Sequence, residues 1–351
     1  MRGLGGAELW FLDAAAGLAG RGVTVSLIAQ PGSRLLTEAR ARGLDAAAIP
    51  IRFDAAPWTL WRLWRRLRRV GATALVCNLT KDLKAAGVAG MLAGVPVRLA
   101  SRESDFPLKD KSYYRWYFRR AATGVLVGSI ATRDTVLRSA PWLDPARVHL
   151  LYKGIDTSAF APSGPPPSRR PPVVGFVGQL IERKGLDALT AAWERVLAGD
   201  PPTGVRLLLA GEGPRREALE AWRAGLPRPD SVQLVGFTDD VPAFWTRCRA
   251  GVLPSRAEGF GLAAAEASAC GLPVVAADAS SLPEVVADGV TGLLVPPDDP
   301  GALARALARV LGDGDLADRL GAAGRRRMTD RFDHQLCLDR LQRLVCPEET
   351  P

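Results

Sequence analysis

Apolar runs of strand length alternate with stretches of helical period along both halves of this chain, and that alternation narrows the possible folds more than any other feature. The first half offers VTVSLIA (23–29), ALVCNL (74–79), VRLAS (97–101), GVLVGS (124–129) and VHLLYKG (148–154). The second offers VVGFVG (173–178), VRLLLAG (205–211), VQLVGF (232–237), AGVLPS (250–255) and LPVVAAD (272–278). Helical patterns such as ELWFLDAAAGLAGRG (8–22) separate them. Strands that alternate with helices predict parallel sheets covered on both faces, an α/β class. Between the halves, APSGPPPSRRPP (161–172) cannot be helix interior and reads as a stiff linker. At 351 residues the chain suits two domains of ordinary size. The expected division is an N-terminal domain over 1–162, a C-terminal domain over 163–333, and a helix over 334–351 that crosses back to the first. Ligands in such sheets sit beyond the carboxyl ends of the strands.

Composition excludes several classes. Hydrophobic content of 47% with 24% charged residues is that of a soluble globular protein. No stretch reaches the ~18 to 20 apolar residues that cross a bilayer, and MRGLGGAELW has no apolar core of a signal peptide. Cys77, Cys248, Cys270, Cys337 and Cys346 are scattered and only His149 and His334 accompany them, so neither a metal site nor a disulfide framework is expected. A cytoplasmic location follows. Charge is uneven: residues 1–162 carry 24 Lys+Arg against 12 Asp+Glu (+12), and residues 163–351 carry 22 against 25 (−3). A basic half beside a mildly acidic one suggests that the first domain meets something anionic.

Three turns in the second half carry candidate chemistry. GFVGQLIERKG (175–185) takes a strand through Gly178 and Gln179 to Arg183 and Lys184; glycine admits a ligand close to the backbone and lysine neutralises phosphate. Alone it reads equally as a surface basic pair. LAGEGPRREALEAW (209–222) is ordinary helix-start chemistry, with Glu212 structural. PSRAEGFGLAAAEASACGL (254–272) places Glu258 in a strand-to-helix loop and Glu266 about a turn inside the helix. The N–H groups of Gly259, Phe260, Gly261 and Leu262 between them form a seat for an anionic phosphate. Two carboxylates beside an anion repel it unless each binds hydroxyls, as a sugar and a ribose would allow. The plainer reading makes Glu258 a helix cap and Glu266 a solvated face residue.

These stretches, with LPEVVADGVTGLLVPPDDP (282–300), GLGGAE (3–8) and YKGID (152–156), resemble family 4 of the retaining glycosyltransferases over nearly the whole chain. The resemblance implies the GT-B fold, two facing Rossmann-like domains with an interdomain cleft. It implies a nucleotide-diphosphate sugar as donor substrate, with no metal and no other cofactor. By the same resemblance Glu266 holds the ribose hydroxyls, Glu258 contacts the donor sugar, and Lys184 neutralises the departing diphosphate. Gly5 and Gly6 resemble the glycine loop that approaches the donor phosphates, and Gly236 and Phe237 lie in the loop that chooses the base.

Three departures stand out. Family members usually carry arginine where this chain has Gln179; a charge-assisted phosphate contact is worth roughly 1.5–3 kcal/mol, so Arg183 is the expected substitute. A histidine often follows the strand that here reads VRLAS, whereas this chain has Arg102-Glu103-Ser104-Asp105; Glu103 or Asp105 is expected to face the acceptor, with a loop salt bridge as the plainer reading. Only Met1 and Arg2 precede GLGG where the family has a first strand, which points to a start codon placed downstream or a truncated form.

In WTLWRLWRRLRRV (58–70), Leu60, Leu63, Trp64 and Leu67 form one helical stripe among five arginines, and KDKSYYRWYFRR (109–120) interleaves aromatics with cations. Both suit a peripheral seat on an anionic membrane or a stripe packed on the domain's own sheet; no nucleic-acid motif accompanies the charge. The expected function is retaining transfer of a sugar to a glycan or glycolipid acceptor in cell-envelope polysaccharide or lipopolysaccharide synthesis. The alternatives are a GT-B-fold sugar-nucleotide epimerase and a catalytically weakened, truncated binding partner.

Overall fold

The computed structural model describes residues 5–51 and 56–346. The chain forms two compact units, Met1–Gly154 with Gln335–Pro351, and Ile155–His334.

The first unit holds strands β1 (Ser26–Ala29), β2 (Asp45–Ala48), β3 (Ala74–Cys77), β4 (Val97–Arg102), β5 (Gly124–Val127) and β6 (Val148–Leu150). β1 and β2 make one parallel pair, and β3-β4-β5-β6 make a second parallel sheet. The expectation of an absent first strand turns on residues that lie outside the described ones. The helix Pro57–Arg69 buries Thr59, Leu63 and Leu67. Its inner stripe therefore differs from the one read in the sequence, because Trp64 is turned outward while Thr59 takes an inner place. The last helix, His334–Val345, buries Cys337, Leu338, Leu341 and Val345. It is tied to this unit by Arg21, which meets Asp339 at 2.6 Å and donates to Gln335 Oε1 at 2.6 Å.

The second unit holds β7 (Val173–Val177), β8 (Arg206–Ala210), β9 (Val232–Gly236), β10 (Ala250–Leu253), β11 (Val274–Ala277) and β12 (Gly292–Val295) in one parallel sheet. The strand order is β12-β11-β10-β7-β8-β9. From β7 the chain winds outward one way through β8 and β9, then returns to β10 and winds the other way. Fully buried runs such as AGVL in β10 and VVAA in β11 are apolar on both faces, as a sheet sandwiched by helices requires. Phe176, Trp193, Leu207 and Val252 lie in its core without exposed surface, and burying each such side chain is worth about 1.5–3 kcal/mol.

The proline-rich stretch is fastened to the second unit. Arg170, 6% exposed, donates to the carbonyls of Ser163, Pro165, Trp245 and Cys248, and Ser168 bonds both carboxylate oxygens of Asp318. Prolines supply no N–H that needs a partner, so one arginine satisfying four carbonyls is enough to hold the stretch against the second unit.

Candidate functional site

β7 and β10 are neighbours whose onward connections run in opposite directions. In an open parallel sheet this reversal leaves a crevice beyond the strand ends, the usual place for a ligand. The turn after β7 carries Arg183 and Lys184, and the loop after β10 carries Glu258. Gly185 joins them: its φ is +67°, and a Cβ there would fall 1.9 Å from the Pro254 carbonyl oxygen. Only glycine lets the two backbones approach so closely. Arg256 N–H completes the contact by donating to Arg183 O at 2.9 Å.

That approach brings Lys184 Nζ within 2.5 Å of Glu258 Oε1, to which it donates, and Arg183 Nη1 within 3.7 Å of Oε2. Arg183 also donates to Ala257 O at 2.9 Å. The Lys184 and Glu258 side chains are 12% and 9% exposed. Two cations therefore face one carboxylate and leave an excess positive charge, with Arg183 one-third exposed at 33%, an arrangement suited to an anion. Ser280 and Ser281 hold the Glu258 backbone: both hydroxyls donate to Glu258 O, at 2.7 and 3.0 Å, and Glu258 N donates to Ser280 Oγ at 3.2 Å. Ser280 does this from a left-handed backbone with φ +55°, a costly conformation for a residue with a side chain. Sequence reasoning passed over both serines; the only signal was a Ser-Ser pair at a strand end before Leu282-Pro283.

The other residues of the second unit singled out in the sequence lie at or after the ends of β7, β8, β9 and β10. Phe260 is buried against Phe332, ring centroids 5.4 Å apart. Gly261, φ +95°, is the N-cap of the helix Leu262–Ala269, in which Leu262 comes first and the half-buried Glu266 lies about one turn in. Gly178 N–H donates to Ala210 O at 3.0 Å, joining the ends of β7 and β8, and Lys184 lies beside Gly178. Gln179 is exposed. Gly236 accepts from Gly211 N–H at 2.7 Å at the end of β9, and Phe237 follows it, 45% exposed. Glu212 pairs with Arg216 at 2.7 Å. Gly259 lies between Glu258 and Phe260 in the same loop.

In the first unit, Glu103 forms an ion pair with Lys153, both side chains under a tenth exposed, and Ser101 donates to the same carboxylate. Lys153 Nζ lies 4.6 Å from the centre of the Trp10 ring, and these residues line one small cavity. Lys153 and Trp10 were not among the residues singled out in the sequence; YKGID shows a lysine but not its burial. Arg102 donates to Phe106 O at 2.6 Å; burial draws its pKa down, and Asp105 acts in the opposite sense. Gly5 N–H donates to Glu8 Oε2 at 2.9 Å and Gly6 opens the helix Gly6–Gly20. A separate cavity of about 580 Å³, lined by Arg195 and Arg305 among others, contains none of these residues.

Solved structures share this architecture. The chain superposes on Anabaena Alr3699/HepE in complex with UDP with a TM-score of 0.83, covering 98% of this chain and 97% of that one at 20% identity. The fold is thus GT-B. The family described as Glycosyltransferase Family 4 matches residues 4–159, and that described as Glycosyl transferases group 1 matches residues 171–313. The chain belongs to these glycosyltransferases. It is 34% identical over 235 residues to alpha-maltose-1-phosphate synthase of Mycolicibacterium smegmatis, covering 60% of each. It is 37% identical over 206 residues to D-inositol 3-phosphate glycosyltransferase of Frankia alni, covering 52% of this chain and 49% of that one. The match spans half to three fifths of the length of these two relatives.

Proposed function

We propose that the chain moves a sugar from a nucleotide-diphosphate sugar to a glycan or glycolipid acceptor, with retention at the anomeric carbon, in the synthesis of an envelope polysaccharide or lipopolysaccharide at an anionic membrane surface. The observation that carries the reading is the pairing of Lys184 and Arg183 with Glu258 at the reversal point of the second sheet. The two relatives above, each bearing the name of a glycan- or glycoside-forming enzyme, support it, and the UDP complex of the Anabaena protein makes uridine diphosphate the first donor class to try.

In this reading the ribose hydroxyls donate to Glu266, and the diphosphate lies against Lys184, Arg183 and the N-terminal end of the helix Leu262–Ala269. Glu258 accepts from sugar hydroxyls while keeping its bond to Lys184. As the bond from the anomeric carbon to the phosphate oxygen breaks, negative charge grows on that oxygen, and fixed cations lower the barrier because they need no reorganisation. Retention brings the acceptor oxygen to the face from which the diphosphate leaves, so the departing phosphate is placed to take the acceptor's proton. Arg183 supplies the charge that Gln179 lacks.

The test is a thermal-shift panel of UDP, GDP, ADP and CMP on wild type and Glu266→Ala. A ligand that binds the folded state raises the melting temperature by mass action. One diphosphate is expected to stabilise wild type and to lose most of its effect on the variant. No shift with any nucleotide on a folded protein would favour the non-catalytic binding partner instead.

A further inference from the structure

The outer face of the helix Pro57–Arg69 is made of tryptophan and arginine. Trp58, Trp61 and Trp64 are 59%, 52% and 37% exposed, and the other exposed side chains beyond Pro57 are Arg62, Arg65, Arg68 and Arg69. The helix holds no carboxylate. Arg66 alone among its arginines turns to partners on the sheet, Ser26 and Asp45. The helix packs on the turn Leu83–Gly87, which packs in turn on Tyr117–Ala121, the continuation of Ser112–Trp116. In this second segment Tyr113 and Trp116 are each 45% exposed, with Lys109, Lys111, Arg119 and Arg120 exposed around them. Its one acid, Asp110, is already paired with Arg115. Leu92, 62% exposed, lies on the intervening helix Val88–Ala93.

An indole ring is a large apolar surface with one polar edge, so leaving several half-exposed forgoes burial that the fold could have used. Aromatic rings of this kind settle at the level of lipid headgroups, where the ring meets acyl chain and the N–H meets water. Arginines beside them match lipid phosphates in sign and geometry. A single-stranded nucleic acid would stack its bases on such rings, but no nucleic-acid-binding motif accompanies them in the sequence, and a protein partner would have to bring a matching acidic surface.

We infer that this layer of the first unit docks onto a bilayer containing anionic phospholipid, with Trp58, Trp61 and Trp116 entering the headgroup region and Arg62, Arg65, Arg68 and Arg69 meeting phosphates. The docking gives residues to the membrane seat of the proposed function, and it rests on that reading only in placing the acceptor at the same surface.

The experiment is co-sedimentation of the full chain with vesicles of phosphatidylcholine alone or mixed with phosphatidylglycerol, with and without competing single-stranded RNA. The variants are Trp58→Ala/Trp61→Ala and Arg62→Glu/Arg65→Glu, and each preparation is also scored for its thermal shift with UDP. Wild type is expected to sediment with the anionic vesicles and to be released as salt rises. Each double variant should lose about tenfold or more in partitioning while melting as wild type does and keeping its response to UDP. Equal binding to both vesicle types, wild-type binding by both variants, or displacement by RNA at equal phosphate would overturn docking. A folded protein that responds to none of UDP, GDP, ADP and CMP yet still binds anionic vesicles would count against the transferase reading and leave docking standing.

Discussion

Lys184 and Glu258 lie 74 positions apart, and in the proposed function their pairing decides what the second unit binds. Replacing the carboxylate by an amide of the same shape leaves two cations facing each other without a counter-charge, and one acceptor oxygen where there were two. Glu258→Gln is expected to cut kcat for sugar transfer by about a hundredfold or more, measured as nucleoside diphosphate released from a donor that the wild type turns over. Glu103 and Lys153 make a second buried ion pair, in the first unit. Lys153→Met should destabilise the chain by about 3–5 kcal/mol by stranding the carboxylate, and adding Glu103→Gln should recover much of that loss in urea melts; additive losses would mean that the pair is not coupled. Glu258 and Lys184 could be singled out in the sequence because each sits in a glycine-marked turn, and Glu266 because it follows Glu258 by eight positions, inside the helix Leu262–Ala269. Lys153, Ser280 and Ser281 could not, because burial of a lone lysine and hydrogen bonds from a serine pair to a distant backbone are properties of packing and leave no period in the chain.

Among the elements, all five strands read from the apolar runs of each half are present. The two missed, β2 and β12, read DAAA and GLLV, one too poor in branched side chains and the other too short to stand out from the loops around it. In the proline-rich stretch, proline content shows stiffness but not which arginine will take up its carbonyls. Trp64 was misread for a related reason: period alone cannot tell an inward ring from an outward one when leucine and tryptophan alternate. The close approach of the β7 turn to the β10 loop depends on Gly185. Gly185→Val should cost about 1–3 kcal/mol from the left-handed backbone alone, and the clash with Pro254 should push Lys184 away from Glu258. The expected outcome is a folded protein of lower melting temperature whose shift with nucleoside diphosphate is lost; an unchanged shift would mean that the two loops need not touch.

At the scale of the whole molecule, four of the five thiols are buried and Cys346 is exposed. Burial pushes the Cys248 and Cys270 thiols up to about 12 and Cys337 up to about 11, from an ordinary value of 9.0. The native chain then holds protons that the unfolded chain releases above the ordinary thiol pKa. Stability is therefore undiminished below about pH 9 and falls as pH rises from there toward the native values. Urea midpoints at pH 8 and at pH 10.5 should show the drop, and a thiol reagent at pH 8 should modify one cysteine quickly in the native chain and five after unfolding. No helix among the described residues is long and apolar enough to cross a membrane.

In the proposed function, Lys184 holds the diphosphate of a donor at the reversal point between β7 and β10. Calorimetric titration of wild type and Lys184→Met with a nucleoside diphosphate and with the matching nucleoside tests it most directly. Removing one charge-assisted contact should weaken the diphosphate about ten- to a hundredfold and leave the nucleoside unchanged. Equal losses for both ligands, or no loss for the diphosphate, would rule out that role for Lys184.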